Sequence, residues 1–238
     1  MDVARAQRQE QVMQTQGYGS YNYSYVYGQD PFKRKNHIST SPKELKHIGV
    51  AAALVIGIGF SIGLWGNYFG GFLFYWTWDM MAIFAVIMVA SFLTHEIGHK
   101  IVAQKQGLWA EFRLTTWGAV LTFASVFLPF RMIAPGAMMI GGTLSKSSDI
   151  VNISIAGPIT NLAYSLGFLT CAFALNPISY AYSMLFFFAA YINAFMAAFN
   201  LIPFGVLDGY KIFSFNKKVW ALTFVPSAVL AVITFLLI

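Results

Sequence analysis

Two histidines and a glutamate lie close together in a chain that has few other charged residues. Residues 91–100 read SFLTHEIGHK, with His95 and His99 four residues apart and Glu96 directly after the first histidine. Residues four apart share one face of a helix, so both imidazoles can bind one metal ion. Glu96 lies about 100° further round the helix, where its carboxylate can reach a water molecule at the metal. This spacing is that of the HExxH motif of zinc hydrolases and predicts metal-assisted hydrolysis.

The third metal ligand does not follow in the next turn of the chain. A catalytic zinc usually takes three protein ligands. In the soluble proteases with an HExxHxxGxxH motif, a glycine and a third histidine would stand where this chain has Val102 and Lys105. The ligand is therefore sought among carboxylates, and the candidates are Glu111, Asp149 and Asp208.

Asp208 is the favoured candidate. It lies in the stretch NLIPFGVLDG, residues 200–209, directly after a long apolar segment. Pro203 breaks the helix there and leaves backbone polar groups that neighbours or water must satisfy. A carboxylate beside Gly209 at such a break suits a ligand better than an exposed loop position does. The alternative is a helix-terminal aspartate in water.

The elements that must position these residues are those of an integral membrane protein. Of the 238 residues 58% are hydrophobic and only 10% are charged, whereas a soluble domain has about 25% charged residues. The single cysteine, Cys171, excludes an internal disulfide and a cysteine-rich zinc finger. A helix needs about 20 apolar residues to cross a bilayer. Five segments meet this requirement: 48–65, 80–103, 150–175, 178–203 and 219–238.

The basic residues predict how these helices are oriented. If the five segments cross the membrane and residues 114–130 do not, all 15 Lys and Arg residues lie on the side of the N-terminus. Basic residues favour the cytoplasm, so the N-terminus and the active site are expected inside and the C-terminus outside. Membrane orientation thus explains the net charge of +6, and no nucleic-acid partner is expected.

The same topology brings the candidate ligands together. Two crossings separate His99 from Asp208, which places both on one side of the membrane. A sixth span at 114–130 would place them on opposite sides and would scatter the basic residues. The predicted fold class is an all-α polytopic membrane protein with about five transmembrane helices. Between the second and third helices we expect a short membrane-associated β-hairpin or a re-entrant segment, and the pattern leaves these two open.

Two regions are expected along the chain. Residues 1–46 form a polar stretch, and residues 16–29 within it are rich in Tyr, Ser, Gly and Gln, without a helical or alternating apolar pattern. Such a composition is typical of a disordered tail, here on the cytoplasmic side. Residues 47–238 are the expected membrane-embedded domain.

Taken together, the motifs resemble those of the site-2 protease family of intramembrane zinc metalloproteases. That family pairs HExxH with a later NxxPxxxxDG, which Asn200, Pro203, Asp208 and Gly209 match in order and spacing. Residues 156–161, AGPITN, resemble the AGPxxN element of the family. The chain is short for the family and has no room for an inserted PDZ domain, so the resemblance leaves substrate selection open.

The resemblance implies a site and an activity. One Zn²⁺ per chain would be bound by His95, His99 and Asp208, with Glu96 as the catalytic acid and base. Asn200 would assist catalysis and Asn161 would shape the site. The implied activity is that of an endopeptidase acting in or near transmembrane segments, within the lipid bilayer. Its substrate would be a transmembrane protein or a membrane-anchored peptide, and no oligomeric state is implied.

The residues also suggest two further roles for parts of the chain. Asn200 could donate a hydrogen bond to the developing oxyanion, or it could serve only helix–helix hydrogen bonding. Within residues 110–142, a strand edge could hold a substrate extended by β-addition. A re-entrant helix that plugs the cavity is the alternative for that segment.

Two other classes of protein compete with a protease. A polytopic membrane metal transporter could use His95, His99 and Asp208 as a transit site. Transport would favour further ligands along a pore, and the apolar segments offer only Asp79 at the outer interface. A catalytically silent metal-binding scaffold would not need a base at Glu96.

Overall fold

The computed structural model describes residues 38–69, 75–128, 131–142 and 147–238. Five of its helices are long and apolar enough to cross a membrane. This confirms the predicted all-α polytopic class with five spans and a small sheet. In chain order the elements are α1 (Pro42–Phe69), α2 (Trp78–Lys105), β1 (Trp109–Leu114), α3 (Thr116–Ser125), β2 (Gly136–Gly141), α4 (Ser147–Leu175), α5 (Tyr180–Asn200), α6 (Asp208–Phe215) and α7 (Lys217–Leu236).

The long helices pack through small and apolar side chains. α4 packs against α5 and α2, α1 packs against α2, and α7 packs against α5. A methyl group on Gly59 of α1 would lie only 2.6 Å from the Cα of Ala85 in α2, so glycine is required where these two helices approach most closely. The core beside this crossing contains the fully buried side chains of Val55, Ile58 and Phe84.

The polar stretch predicted for residues 1–46 lies largely outside the described residues, and its disorder stays a prediction. Residues 42–46 form the beginning of α1, six residues before the predicted start of the first span. The reason is that Glu44 is fully buried in the structure and pairs with Lys100 of α2. The first turn of α1 therefore lies inside the stretch that composition assigns to the tail.

The segment between the second and third spans contains both strands and a helix. β1 and β2 pair antiparallel, with Trp109 opposite Gly141 and Leu114 opposite Gly136. α3 lies between the two strands. The predicted hairpin is therefore present, with a helix inserted between its two strands, and the re-entrant path stays a prediction.

Contacts with α1 show that this segment runs along that helix. The backbone N–H of Leu114 donates to His47 Nδ1 near the start of α1, at 3.2 Å. Arg131 donates from Nε to Ser61 Oγ at 2.8 Å, further along the same helix. These two points are about 21 Å apart along α1, at 1.5 Å per residue. The chain therefore runs along α1 and returns to pair β2 with β1.

One basic residue departs from the charge pattern read from the sequence. That pattern places Arg131 on the side of the N-terminus, whereas the structure places it beside the second half of α1. Its guanidinium donates to the hydroxyl and the carbonyl oxygen of Ser61 and lies 5.2 Å from the centre of the Trp65 ring. These partners stabilise a charge away from the helix ends, which a count of loop charges does not consider.

Candidate metal centre

The structure brings His95, His99 and Asp208 together. The two histidines lie on one face of α2, and Asp208 is the first residue of α6. Their Nε2 atoms are 3.2 Å apart, and Asp208 Oδ2 lies 3.1 Å from His99 Nε2 and 3.7 Å from His95 Nε2. All three side chains are buried, and their potential ligand atoms lie within 4.8 Å of one another. Two nitrogens and one carboxylate oxygen are a donor set that suits zinc.

The other ring nitrogens are held by partners that leave Nε2 available to a metal. His99 Nδ1 lies 2.7 Å from the carbonyl oxygen of Ile153 in α4. A carbonyl oxygen only accepts hydrogen bonds, so Nδ1 carries a proton, and the neutral form of the ring, which is the form that binds a metal, has its lone pair on Nε2. His95 Nδ1 pairs in the same way with Asn161 Oδ1. Metal-binding histidines usually donate their second N–H in this manner, so the residues present fit a bound zinc ion.

Asn193 of α5 is a residue of the site that the sequence motifs do not reveal. Its Oδ1 accepts a hydrogen bond from Asn161 Nδ2 at 3.0 Å, and its Nδ2 donates to the Ala189 carbonyl at 2.9 Å. Asn161 therefore turns its Oδ1 toward His95, and both amides are fully buried. The only signal in the sequence is a polar amide within an apolar run, which in a membrane helix indicates a function.

Gly157 of α4 allows α4 to lie directly against the two histidines. A methyl group at this position would lie 2.6 Å from His95 Nε2 and closer still to His99 Nε2. Across the same contact, a methyl group on Gly98 of α2 would lie 3.1 Å from the Ala156 carbonyl oxygen. The glycine of the AGPITN stretch is therefore a condition for the close approach of α4 to the metal ligands.

The chain between α5 and α6 places the Asp208 carboxylate. α5 ends at Asn200, and residues 201–207 form turns before α6 begins. A methyl group on Gly209 would lie 2.7 Å from the Ile202 carbonyl oxygen, so the fold-back over the end of α5 requires glycine. The result is that Asp208 faces α2 from the first turn of a separate helix.

The electrostatic surroundings keep Asp208 ionised. Burial by itself raises the pKa of this carboxyl group. The interactions with His99 and Lys211 and the hydrogen bonds with both histidines outweigh burial and hold the pKa well below its usual range. Lys211 Nζ lies 3.3 Å from Asp208 Oδ1. The carboxylate is therefore charged and available as a ligand.

Glu96 lies between the histidine pair and the small sheet. It interacts electrostatically with His95, His99 and Asp208, and the backbone of Met138 in β2 also stabilises its carboxylate. The carboxylate is thus close to the candidate ligands, as the HExxH spacing predicts, and it also meets one strand of the sheet.

The remaining candidates from the sequence are Asn200, Glu111 and Asp149. Asn200 is the last residue of α5, and its Nδ2 donates to the Met196 carbonyl in its own helix at 2.9 Å. Its role in catalysis stays a prediction. Glu111 pairs with Arg113 and accepts a hydrogen bond from Ser41. Among the described residues, neither Glu111 nor Asp149 belongs to a group of three potential metal ligands.

Comparison with known proteins identifies relatives that are named as zinc metalloproteases. The family model described as peptidase family M50 matches residues 175–237. A protein of Methanocaldococcus jannaschii named "Putative zinc metalloprotease MJ0611" is 34% identical over 149 residues, which are 62% of this chain and 78% of that protein. "Putative zinc metalloprotease Rip3" of Mycobacterium tuberculosis is 29% identical over 138 residues, which are 57% of this chain and 31% of that protein. No solved structure matches the chain.

Proposed function

Because this chain belongs to peptidase family M50, the site-2 protease family of zinc metalloproteases, we propose that it cleaves peptide bonds within the membrane. The substrates are proteins or anchored peptides whose scissile bond lies in or near a membrane-spanning segment. The observation that supports this most strongly is the convergence of His95, His99 and Asp208 beside Glu96, on helices long and apolar enough to cross a bilayer.

Each residue of the site has a distinct task in this proposal. His95, His99 and Asp208 would hold the zinc ion, which when bound polarises the scissile carbonyl and makes water more acidic. Glu96 takes the proton from the attacking water and delivers it to the leaving amine. Asn200 donates a hydrogen bond to the developing oxyanion once its amide turns away from its own helix.

The open edge of β2 is the proposed binding place for the peptide. A substrate helix hides its carbonyls in internal hydrogen bonds, so the segment to be cut must become extended. The backbone of Met138 in β2 interacts with the Glu96 carboxylate, and in the described part of the chain only β1 pairs with β2. A peptide that adds to β2 as a further strand lies with its backbone beside Glu96.

The direction of the site in the membrane is part of the proposal. Five crossings place the two ends of the membrane domain on opposite sides, and all basic residues but Arg131 follow the N-terminal side in that topology. We infer that the N-terminus and the metal site face the cytoplasm and that the C-terminus is outside.

Cleavage by the reconstituted full chain tests the function. The purified protein is placed in liposomes with a single-span substrate, and products are measured before and after chelation and after zinc is returned. We expect cleavage that chelation stops and zinc restores, and none from Glu96→Gln with zinc still bound. Zinc flux across the liposome without cleavage would instead identify a transporter, and bound zinc with neither activity would identify a scaffold.

A further inference from the structure

A buried ion pair lies next to the metal site and has no part in the proposed chemistry. Lys100 Nζ lies 2.8 Å and 2.7 Å from the two carboxylate oxygens of Glu44, and it donates to Thr40 Oγ1 at 2.9 Å. Glu44 is fully buried and Lys100 is 4% exposed. Burying two charges is costly unless their geometry is good and their remaining polar atoms have partners. This pair joins the first turn of α1 to the end of α2.

The ion pair also holds the sheet. Glu44 Oε1 accepts a hydrogen bond from the backbone N–H of Phe112 in β1 at 3.0 Å. In an antiparallel pair of strands, the backbone N–H and C=O groups of two directly opposite residues either bond to each other or are directed away from the partner strand. The backbone N–H of Phe112 is directed away from β2, toward Glu44. The backbone N–H and C=O of its partner Met138 are therefore directed away from β1, at the other edge of the sheet. The interaction of the Met138 backbone with Glu96 agrees with this orientation.

Side chains of α1 and α2 occupy the outer edge of β1 at every second residue. Gln104 Nε2 donates to the Ala110 carbonyl at 2.9 Å, and His47 Nδ1 accepts from the Leu114 N–H at 3.2 Å. Glu44 lies between these two contacts. Of the three side chains, it is the only carboxylate. The outer edge of β1 is therefore bound to the helices, which leaves β2 as the edge that faces Glu96.

We propose that Glu44, fixed by Lys100, is a positioning residue. It sets the distance between the β2 edge, where a peptide would bind, and Glu96. This rests on the proposed proteolytic function. Lys100 directly follows the ligand His99 in α2. The Glu44–Lys100 pair therefore fixes the position of the sheet relative to the helix that carries both histidine ligands. A contact that served stability alone could be replaced by apolar groups. Apolar groups could not accept the hydrogen bond from the Phe112 N–H. The strand would then no longer be held in a fixed position relative to α2.

Two double variants separate these roles, and both remove the ion pair. Glu44→Gln/Lys100→Met keeps an oxygen for the Phe112 N–H, whereas Glu44→Leu/Lys100→Met has similar volume and no acceptor. We expect equal zinc content in both variants. The KM for a peptide substrate should be about 3- to 10-fold higher in the Leu variant than in the Gln variant, the factor worth one hydrogen bond, with a smaller change in kcat. Equal KM in the two variants would overturn the positioning role.

A distance measurement tests the same inference without proteolysis. Spin labels at Met139 of β2 and Lys105 of α2, both exposed positions, report the separation of sheet and helix. We expect a shifted or broader distance distribution in the Leu variant than in the Gln variant, and identical distributions would overturn the proposal even if no cleavage is found. If the Leu variant does not fold, Glu44→Asp, which keeps the charge on a shorter side chain, is compared with wild type. An unchanged KM and distance distribution in Glu44→Asp would equally overturn it.

Wild-type protein that binds zinc but cleaves nothing would refute the proposed function. The distance measurement would still decide whether Glu44 positions the sheet. The two failures are therefore distinguishable.

Discussion

Replacing Gly157 by alanine should prevent metal binding while leaving the helical bundle folded. The new methyl group would lie 2.6 Å from His95 Nε2 and closer to His99 Nε2. Ordinary contact begins at about 3.5 Å, so the His95 ring must retreat by about 0.9 Å and the His99 ring by more. Retreat breaks the hydrogen bonds that hold the other ring nitrogens to Asn161 and the Ile153 carbonyl.

The size of the effect follows from the tolerance of metal sites. Metal–ligand distances are kept within about 0.2 Å of their preferred values, which is far less than the displacement the methyl group requires. Disturbing the partners of metal-binding histidines alone costs about 10- to 100-fold in affinity. We therefore expect zinc affinity in Gly157→Ala to fall by at least that factor.

The assay compares two glycines of the same helix. A methyl group on Gly167 of α4 meets nothing within 4 Å, so Gly167→Ala is the matched control, and its helix gains about 1 kcal/mol from the better propensity of alanine. Zinc per chain is measured across a series of zinc buffers, with thermal unfolding in parallel. A zinc affinity in Gly157→Ala equal to that of wild type would refute the close packing of α4 on the ligands. An equal loss of zinc in Gly167→Ala would show that any alanine substitution in this helix weakens zinc binding.

Three further predictions follow from the site. Glu96→Gln should keep its zinc and cleave about 10²- to 10⁴-fold more slowly, which is the usual contribution of acid–base catalysis. Zinc content and cleavage rate are measured on the same sample. Loss of zinc without loss of cleavage rate would contradict the assignment. Asn161→Leu should weaken zinc binding by about 10- to 100-fold because His95 loses its partner, as measured by competition with a chelator, and unchanged affinity would contradict it. Lys211→Met should raise the pKa of Asp208, because the lysine charge helps to keep it low. Protons then compete with zinc at higher pH, so zinc should be released at a higher pH than in wild type when content is followed down an acid titration, and coincident release curves would contradict this.

Local patterns are sufficient to predict the main features of this protein. Helix periodicity alone places His95 and His99 on one face, and length with hydropathy alone predicts the five spans. The convergence of Asp208 follows from counting crossings, because an even number returns the chain to the same side. Each of these inferences uses information within one segment or a simple parity between segments.

The features that sequence does not predict depend on partners far away in the chain. Glu44 belongs by composition to a polar tail, but Lys100, 56 residues later, makes its burial favourable. Asn193 stands in an apolar helix without a motif, and only its contact with Asn161 reveals its place in the site. Arg131 donates hydrogen bonds to Ser61 of α1, a contact that a count of loop charges does not include.

The metal content of purified protein tests the central claim most directly. Wild type and Asp208→Ala are prepared in the same detergent, and zinc per chain is determined after equilibration with a weak chelator. With two histidines from α2 and one carboxylate from α6 around a single ion, we expect about one zinc per chain in wild type and almost none in the variant, since three protein ligands are the usual minimum. Full zinc occupancy in Asp208→Ala would contradict the proposed metal centre.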